Sequence, residues 1–331
     1  MFKNKLPNNL LKGYIFLLIT TIIWGAAGPI IKYTLEYIPP LTFLFLRFLI
    51  AGTILLPYTI YEIQKVKVNP KDYLNLFLLG LFSQTSLSLI FLGLKYTTAI
   101  DNALIGILGS VLTIVFGHYF FKDKLDKNIK LGLFIASIGT IVVVLEPMIG
   151  NSNEIDVKNR LFGNFLFLIY NLFWVVYITW SKMSLGGKSH LLKKTLSFIH
   201  LKPMEKKYPP TLIVALSIFV GLFTIAPLAV FEMTGGFGNT LAFNIMEIDQ
   251  RGYIGLLYTA LLSSLIAYLL YQKSLEYVRV SDTSFFGYLA PIFTLPTAYL
   301  LLGEIPNSIV ITGAVLITIG IFITEKANNT L

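Results

Sequence analysis

Apolar residues run along this chain in blocks of about twenty, with little internal alternation, and the polar residues collect between the blocks. Ten blocks fall near residues 12–34, 41–60, 72–93, 98–120, 129–148, 162–181, 211–231, 251–272, 282–302 and 308–324. A bilayer core takes about 20 apolar residues per helix. Lipid offers no partner to open backbone groups, so runs of this length predict membrane-spanning helices. A transmembrane barrel would need short alternating segments, which this sequence lacks. The expected fold is an all-α integral membrane protein with ten transmembrane helices.

The pattern also repeats. Residues 94–125 return without a gap at 275–306, so each residue sits 181 positions before its partner. Tyr96/Tyr277, Asp101/Asp282, Gly106/Gly287 and Thr113/Thr294 are identical, and Asp123 meets Glu304. Gly132/Gly313 and Gly139/Gly320 continue the register. Earlier in the halves, Pro39-Pro40, Pro57 and Glu62 are echoed 170 residues later by Pro209-Pro210, Pro227 and Glu232. Shared Leu and Ile would be cheap in so apolar a chain; shared Asp, Gly and Tyr are not. Each half therefore holds five spans, 12–149 and 162–325, with a long loop at 182–210 in the second. Five is odd, so the second half is expected to enter the membrane in the opposite sense. Such inverted-topology repeats are a plan of secondary transporters, with a site where the halves meet.

Composition sharpens this picture. Charged residues make up 13% of the chain, about half the share usual in soluble proteins. The net charge of +9 does not point to nucleic acid, because the lysines sit between apolar spans instead of forming one basic face. With the N-terminus inside, inner segments hold 20 Lys and Arg against 5 outside, and Arg47 lies within a span. The positive-inside rule then puts both termini in the cytoplasm of a multi-pass cell (inner) membrane protein. The first span follows Lys3, Lys5 and Lys12 but is too long for a signal-peptide core, so it reads as a retained helix. With no cysteine, disulfides and thiolate chemistry drop out.

The polar residues inside spans are the candidate chemistry. In the first span, Gly25-Ala26-Ala27-Gly28-Pro29 reads either as a helix break lining a cavity or as a kink with close packing. Trp24 beside it reads either as a stacking wall with an indole donor or as filling space. Its counterpart in the sixth span, Trp174, favours the cavity, and if the halves meet around one cavity the two rings could sandwich an apolar substrate body from opposite sides. Gln84 and Ser88, four apart, share a helix face. Gln84 is a candidate for interhelix or substrate hydrogen bonding; in the second case it would, with Asn171, serve the substrate's polar end. Tyr170, Tyr258, Tyr268 and Tyr288 have apolar bodies and polar tips that suit a substrate of mixed character. A charge at the bilayer centre costs about 2.5–3.5 kcal/mol. Arg47 lies only about 10 Å along its span at 1.5 Å per residue; it could snorkel, pair with Asp101 or meet a substrate carboxylate, and a structural role is favoured. Asp101 and Asp282 open equivalent helices, where capping is the expected role. His118 is expected to face headgroups. No metal-ligand spacing, Gly-rich phosphate loop or pair of central carboxylates is present, so neither an enzyme nor a cofactor is expected. In the long loop, Leu191, Leu192, Leu196 and Ile199 fall on one helical face, with Lys193, Lys194, Ser197 and His200 on the other. That suits either a short helix on the anionic inner leaflet or a solvated loop.

Several of these stretches together resemble a known family. They are Trp24-Gly25, Leu46-Arg47-Phe48-Leu49-Ile50-Ala51, Ala103-Leu104-Ile105 with the acidic hairpin at Asp123, and Tyr288-Leu289-Ala290-Pro291 with Gly303-Glu304 and Gly313. In them the chain resembles the EamA-like drug/metabolite transporters over residues 12–147 and 162–324. The resemblance implies export or exchange of small metabolites, often amino acids, through a cavity lined by the first, third, fourth, sixth, eighth and ninth spans. Three features depart from the pattern: Ser110 stands where a proline is expected, Arg47 has Ser217 as its partner, and the 182–210 loop is long. The substrate-binding candidates are then Trp24, Gln84, Ser88, Ser110, Tyr170, Asn171, Trp174, Tyr268 and Tyr288. Arg47, Asp101 and Asp282 are coupling or structural charges.

The expected function is secondary transport of small organic metabolites, such as amino acids, by alternating access, with the substrate and the bilayer as partners and a homodimer left open. The alternatives are a lipid-acting membrane enzyme, or a scaffold or sensor using the 182–210 loop. Deleting residues 186–203 would abolish a scaffold's function and spare most of a carrier's flux. On this cysteine-free background, a cysteine at position 154 should be labelled only from outside and one at 188 only from inside. Labelling of both from one side refutes the inverted halves.

Overall fold

The computed structural model describes residues 8–123, 126–149, 154–198, 204, 206–236 and 243–328. Among them, nine helices are long and apolar enough to cross a membrane. In order these are Asn8–Thr34, Pro40–Val66, Pro70–Tyr96, Ala99–Phe121, Lys127–Ile149, Asp156–Ser184, Pro210–Met233, Gln250–Tyr277 and Asp282–Leu302. A tenth helix, Ser308–Asn328, contains a shorter apolar stretch, Ser308–Thr324. In chain order these are the first to tenth helices. In the long loop a separate short helix, His190–Phe198, forms, with Leu191 and Phe198 exposed; Ile199 and His200 lie outside the described residues.

Neighbours recur in equivalent pairs. The first helix packs on the ninth and the sixth on the fourth; the first on the eighth and the sixth on the third; the second on the seventh and the fifth on the tenth. Exchanging each helix for the one five places along turns this set into itself. The fifth–tenth contact shows why glycines recur in the repeat. A Cβ on Gly139 would fall 2.6 Å from the carbonyl oxygen of Gly313, and one on Gly320 would fall 2.5 Å from that of Gly132. The pairing 132–320 and 139–313 runs antiparallel, so two glycines two turns apart on each helix bring backbone against backbone. Small residues at such contacts are how membrane helices gain packing without a hydrophobic drive.

The first helix runs through Pro29 without ending. Pro29 has no N–H for the carbonyl of Gly25, four residues back. Thr294 of the ninth helix supplies the missing donor, its Oγ1 donating to Gly25 O at 2.7 Å. Gly25 also lets the ninth helix approach, since a Cβ there would lie 2.9 Å from Ala290 O. The Gly-Pro stretch is therefore a close packing site in a continuous helix, and its Gly25, Ala27 and Gly28 also line a cavity. The third and eighth helices, in contrast, each contain a widened π turn, at Leu81–Thr85 and Tyr258–Ala267. Such turns leave carbonyls open to other donors: Ser263 O accepts the Trp24 indole N–H at 3.1 Å, and Ala267 O accepts Thr20 Oγ1 at 3.2 Å.

Gly139→Leu should prise the fifth and tenth helices apart, because the group it meets is backbone and cannot rotate away. Overpacking of this kind costs about 1–3 kcal/mol, read as a lowered melting temperature of the purified protein. An unchanged melting temperature would refute the close contact.

Candidate functional site

A cavity of about 230 Å³ opens between the halves. On the fourth helix, Asn102, Gly106, Gly109 and Thr113 line it, spaced as one helical stripe. Their partners 181 positions on, Thr283, Gly287, Ala290 and Thr294, line it from the ninth helix. The first helix contributes Thr20, Thr21, Trp24 and Gly28; the sixth contributes Tyr170, Asn171, Trp174 and Ile178, each 150 positions later. Leu87 and Ile90 of the third helix and Tyr268 and Tyr271 of the eighth complete the wall. The second helix adds Arg47, which the expected set of lining helices did not include.

One wall is aromatic. Trp24 and Trp174 lie edge to face, with centroids 5.5 Å apart and planes at 80°. Tyr268 and Tyr271 stand 5.3 and 5.2 Å from Trp24, and Tyr170 stacks beside Trp174 at 6.2 Å. Rings in mutual contact leave no room for a substrate between them, so the expected Trp24/Trp174 sandwich is replaced by a single wall. The cause is helix proximity: Trp24 is held by the carbonyl of Ser263, which tips its indole toward the eighth helix and the sixth helix's Trp174.

Arg47 is 2% exposed and neither snorkels nor reaches Asp101. Its Nε donates to Ser264 Oγ, and its Nη2 lies 3.4 Å from Ser263 Oγ. Its guanidinium carbon sits 5.9 and 5.7 Å from the ring centres of Phe48 and Phe91. No ion pair to Arg47 occurs among the described residues. Asp101 is spoken for elsewhere. Arg160 donates to its carboxylate at 3.0 Å and also pairs in charge with Glu146, and Thr97 Oγ1 donates to it at 2.9 Å. Helix capping at this point falls to Thr98, whose hydroxyl accepts the Asp101 N–H at 2.9 Å. Asp282 likewise holds Arg279, accepting from its backbone N–H and its guanidinium; that hydrogen-bonded pair pushes the Arg279 pKa up.

Three further candidates lie off the cavity wall. Gln84 is fully buried in the π turn, packed near Gly221 of the seventh helix, and its amide finds no hydrogen-bond partner among the described residues. Ser88 donates back to Thr85 O at 2.7 Å. Tyr288 is 7% exposed and lies one position past the lining residue Gly287. Ser110 does line the cavity, where its hydroxyl fills the space a side chain on Gly287 would need. Asn171 lines it too, but its amide N–H groups are committed to the carbonyls of Phe167 and Ile105 at 2.8 and 3.3 Å. Asn102, Tyr271, Thr283 and Ser284 line the cavity unanticipated. The shared Gly and Thr of the repeat, read at spacing 4, 7 and 11, mark the stripe that holds Asn102 and Thr283.

Both ends of the cavity helices are tied by equivalent groups. Lys32 of the first helix donates to Thr97 O and pairs with Glu304 at 3.3 Å. Lys182 of the sixth, 150 positions on, donates to Val278 O at 2.6 Å, and Thr97 and Val278 are themselves 181 apart. Glu304 accepts the N–H groups of Ala99 and Ile100, both at 3.1 Å, at the start of the fourth helix. Asp123 accepts Ser281 Oγ at 2.6 Å just before the ninth.

A bundle of long apolar helices enclosing a cavity walled by both its halves is the architecture of a multi-pass membrane protein. The EamA-like transporter family model matches residues 11–145 and 161–325, and the chain belongs to that family. It is 25% identical over 314 residues to an uncharacterized transporter of Archaeoglobus fulgidus, covering 95% of this chain and 97% of that one. An uncharacterized transporter of Bacillus subtilis, YyaM, is 26% identical, with 93% and 92% covered. A Salmonella typhimurium protein named a probable amino-acid metabolite efflux pump is 23% identical, with 94% of this chain and 93% of that one covered. A crystal structure only 15% identical superposes over 96% of both chains with a TM-score of 0.61, a likeness of fold.

The charge network yields a contrast. Arg160→Gln leaves two carboxylates, Asp101 and Glu146, each 1% exposed, with Thr97 and Asn307 as their remaining side-chain donors, and removing one partner of a buried acceptor costs about 1–3 kcal/mol. Arg279→Gln removes a partner that is 56% exposed and should cost under about 1 kcal/mol. Melting of the two purified variants should differ accordingly, and equal losses would refute the assignment.

Proposed function

We propose that this protein is a secondary carrier, an exporter or exchanger of small organic metabolites, working by alternating access across the cytoplasmic membrane. The observation that carries this reading is a cavity walled by equivalent stripes of the two halves, 12–149 and 162–325, as a site at a repeat interface requires. Inverted halves, with both termini cytoplasmic, are supported by the odd span count, the charge bias and the antiparallel fifth–tenth contact. Amino acids and their metabolites are candidate substrates because a relative is named for their efflux. The lining offers hydroxyls, aromatic rings and one guanidinium, a binding surface and not a set of reacting groups. No carboxylate is among the lining residues, which favours exchange over proton antiport.

Counterflow in proteoliposomes tests this with a panel of amino acids and related metabolites. Labelled substrate should accumulate against unlabelled substrate inside, and should still do so when the proton gradient is collapsed. No counterflow with any panel member counts against the carrier; strict dependence on an imposed pH gradient counts against exchange alone.

A further inference from the structure

Among the residues lining the cavity, one carries a charge, and it is Arg47. Its guanidinium is buried at 2% exposure, is held by two serine hydroxyls, and has no carboxylate partner among the described residues. Buried charges are ordinarily paired, because desolvation of a lone ion is costly. Where Arg160, which is partly exposed, has two acids, the buried Arg47 has only neutral acceptors and the faces of Phe48 and Phe91. A guanidinium presents a planar fork that matches a carboxylate in two parallel hydrogen bonds. The rest of the wall sorts by character: Trp24, Trp174 and Tyr271 on one side, small residues of the fourth and ninth helices on the other.

Resting on the carrier reading, we infer that the cavity takes a small monocarboxylate with an apolar or aromatic body, and favours it over the zwitterionic amino acid of the same shape. The carboxylate meets Arg47 and supplies the countercharge the protein omits. The apolar body lies along the tryptophan wall. An α-ammonium group would enter a site whose lining has no acid to receive it, beside a fixed positive charge. It would lose its hydration and meet like-charge repulsion. The same argument disfavours a simple amine. Aromatic faces attract cations, so an amine is the probe that separates attraction by the rings from attraction by Arg47.

Two of the three tryptophans line the cavity, so intrinsic fluorescence reports occupancy directly. The purified full chain in nonionic detergent is titrated with four probes of one shape: 3-phenylpropionate, phenylalanine, 2-phenylethylamine and neutral 3-phenylpropanamide. The anion should bind at least about tenfold more tightly than the other three. A hydrogen bond to a charged group is worth about 10- to 150-fold in affinity, so Arg47→Gln should weaken the anion by that factor and leave the amide unchanged. Arg47→Lys should recover part of the loss. Equal or tighter binding of phenylalanine or the amine overturns the inference, as does a folded Arg47→Gln variant that binds the anion unchanged. A loss shared equally by the anion and the amide assigns Arg47 to packing alone and also overturns it. If Arg47→Gln does not fold, the ranking of the four probes on the native chain decides. Counterflow of another metabolite with no binding of the anion at millimolar concentration would leave the carrier standing and this inference refuted.

Discussion

Helices that begin inside a protein in lipid have backbone N–H groups with no water to receive them, and this chain meets that need with acids from the opposite half. Glu304, beyond the ninth helix, receives the first N–H groups of the fourth. Asp123, beyond the fourth, receives Ser281 at the head of the ninth. Glu232, ending the seventh helix, receives the N–H and hydroxyl of Thr42 in the second at 2.7 and 2.9 Å. Each carboxylate also favours the positive end of the helix dipole. Within its own half the fourth helix has the Thr98 cap, but its first two N–H groups are received by the opposite half.

Equivalent stripes give the cavity its shape, and departures from equivalence give it chemical character. Gly106 and Gly287 or Thr113 and Thr294 present the same surface twice. Arg47 does not, because its partner Ser217 is a buried hydroxyl off the wall. A wall repeated on both sides offers no preferred orientation to a ligand. The cation Arg47 breaks that equivalence, as do Tyr268 and Tyr271, which stand where Leu87 and Ile90 stand 181 positions earlier; Trp24 and Trp174 are themselves equivalents. On the carrier reading, specificity would come from the second and eighth helices, while the fourth and ninth supply clearance.

Span positions, the duplication and the pairing of Trp24 with Trp174 were legible in the sequence because each rests on spacing along one chain or between two copies. The placement of Gln84 was not. Its i, i+4 relation to Ser88 assumes a regular helix, but the π turn at Leu81–Thr85 adds a residue and rotates the upstream segment by about 100° relative to the downstream one. Gln84 consequently faces Gly221 of the seventh helix instead of the cavity. Arg47 departs from expectation for a different reason. Depth along a span argues for snorkelling, yet burial depends on which face meets the neighbouring helices, and the face of Arg47 meets Ser263 and Ser264. The aromatic wall was hidden because repeat equivalence places two residues symmetrically without fixing their separation; contact between the rings depends on how closely the first and sixth helices approach.

The distribution of rigid and yielding contacts fits the carrier reading. Between the fifth and tenth helices, Gly132, Gly139, Gly313 and Gly320 put backbone on backbone, a contact that can slide only as a unit. At the ends of the first and sixth helices the contacts are made by long lysine side chains: Lys32 reaches Thr97 O and Glu304, and Lys182 reaches Leu275 O and Val278 O. The two ends use equivalent lysines with different partners: Lys32 has an ion pair with Glu304, and Lys182 has two carbonyls. A carrier that opens alternately to two sides needs states separated by a few kcal/mol at most, so that a bound solute can shift their populations. On that reading duplication would supply part of the balance, since Lys32 and Lys182 are equivalent and so are Thr97 and Val278, while Arg47, the one charged residue lining the cavity, has a neutral counterpart in Ser217.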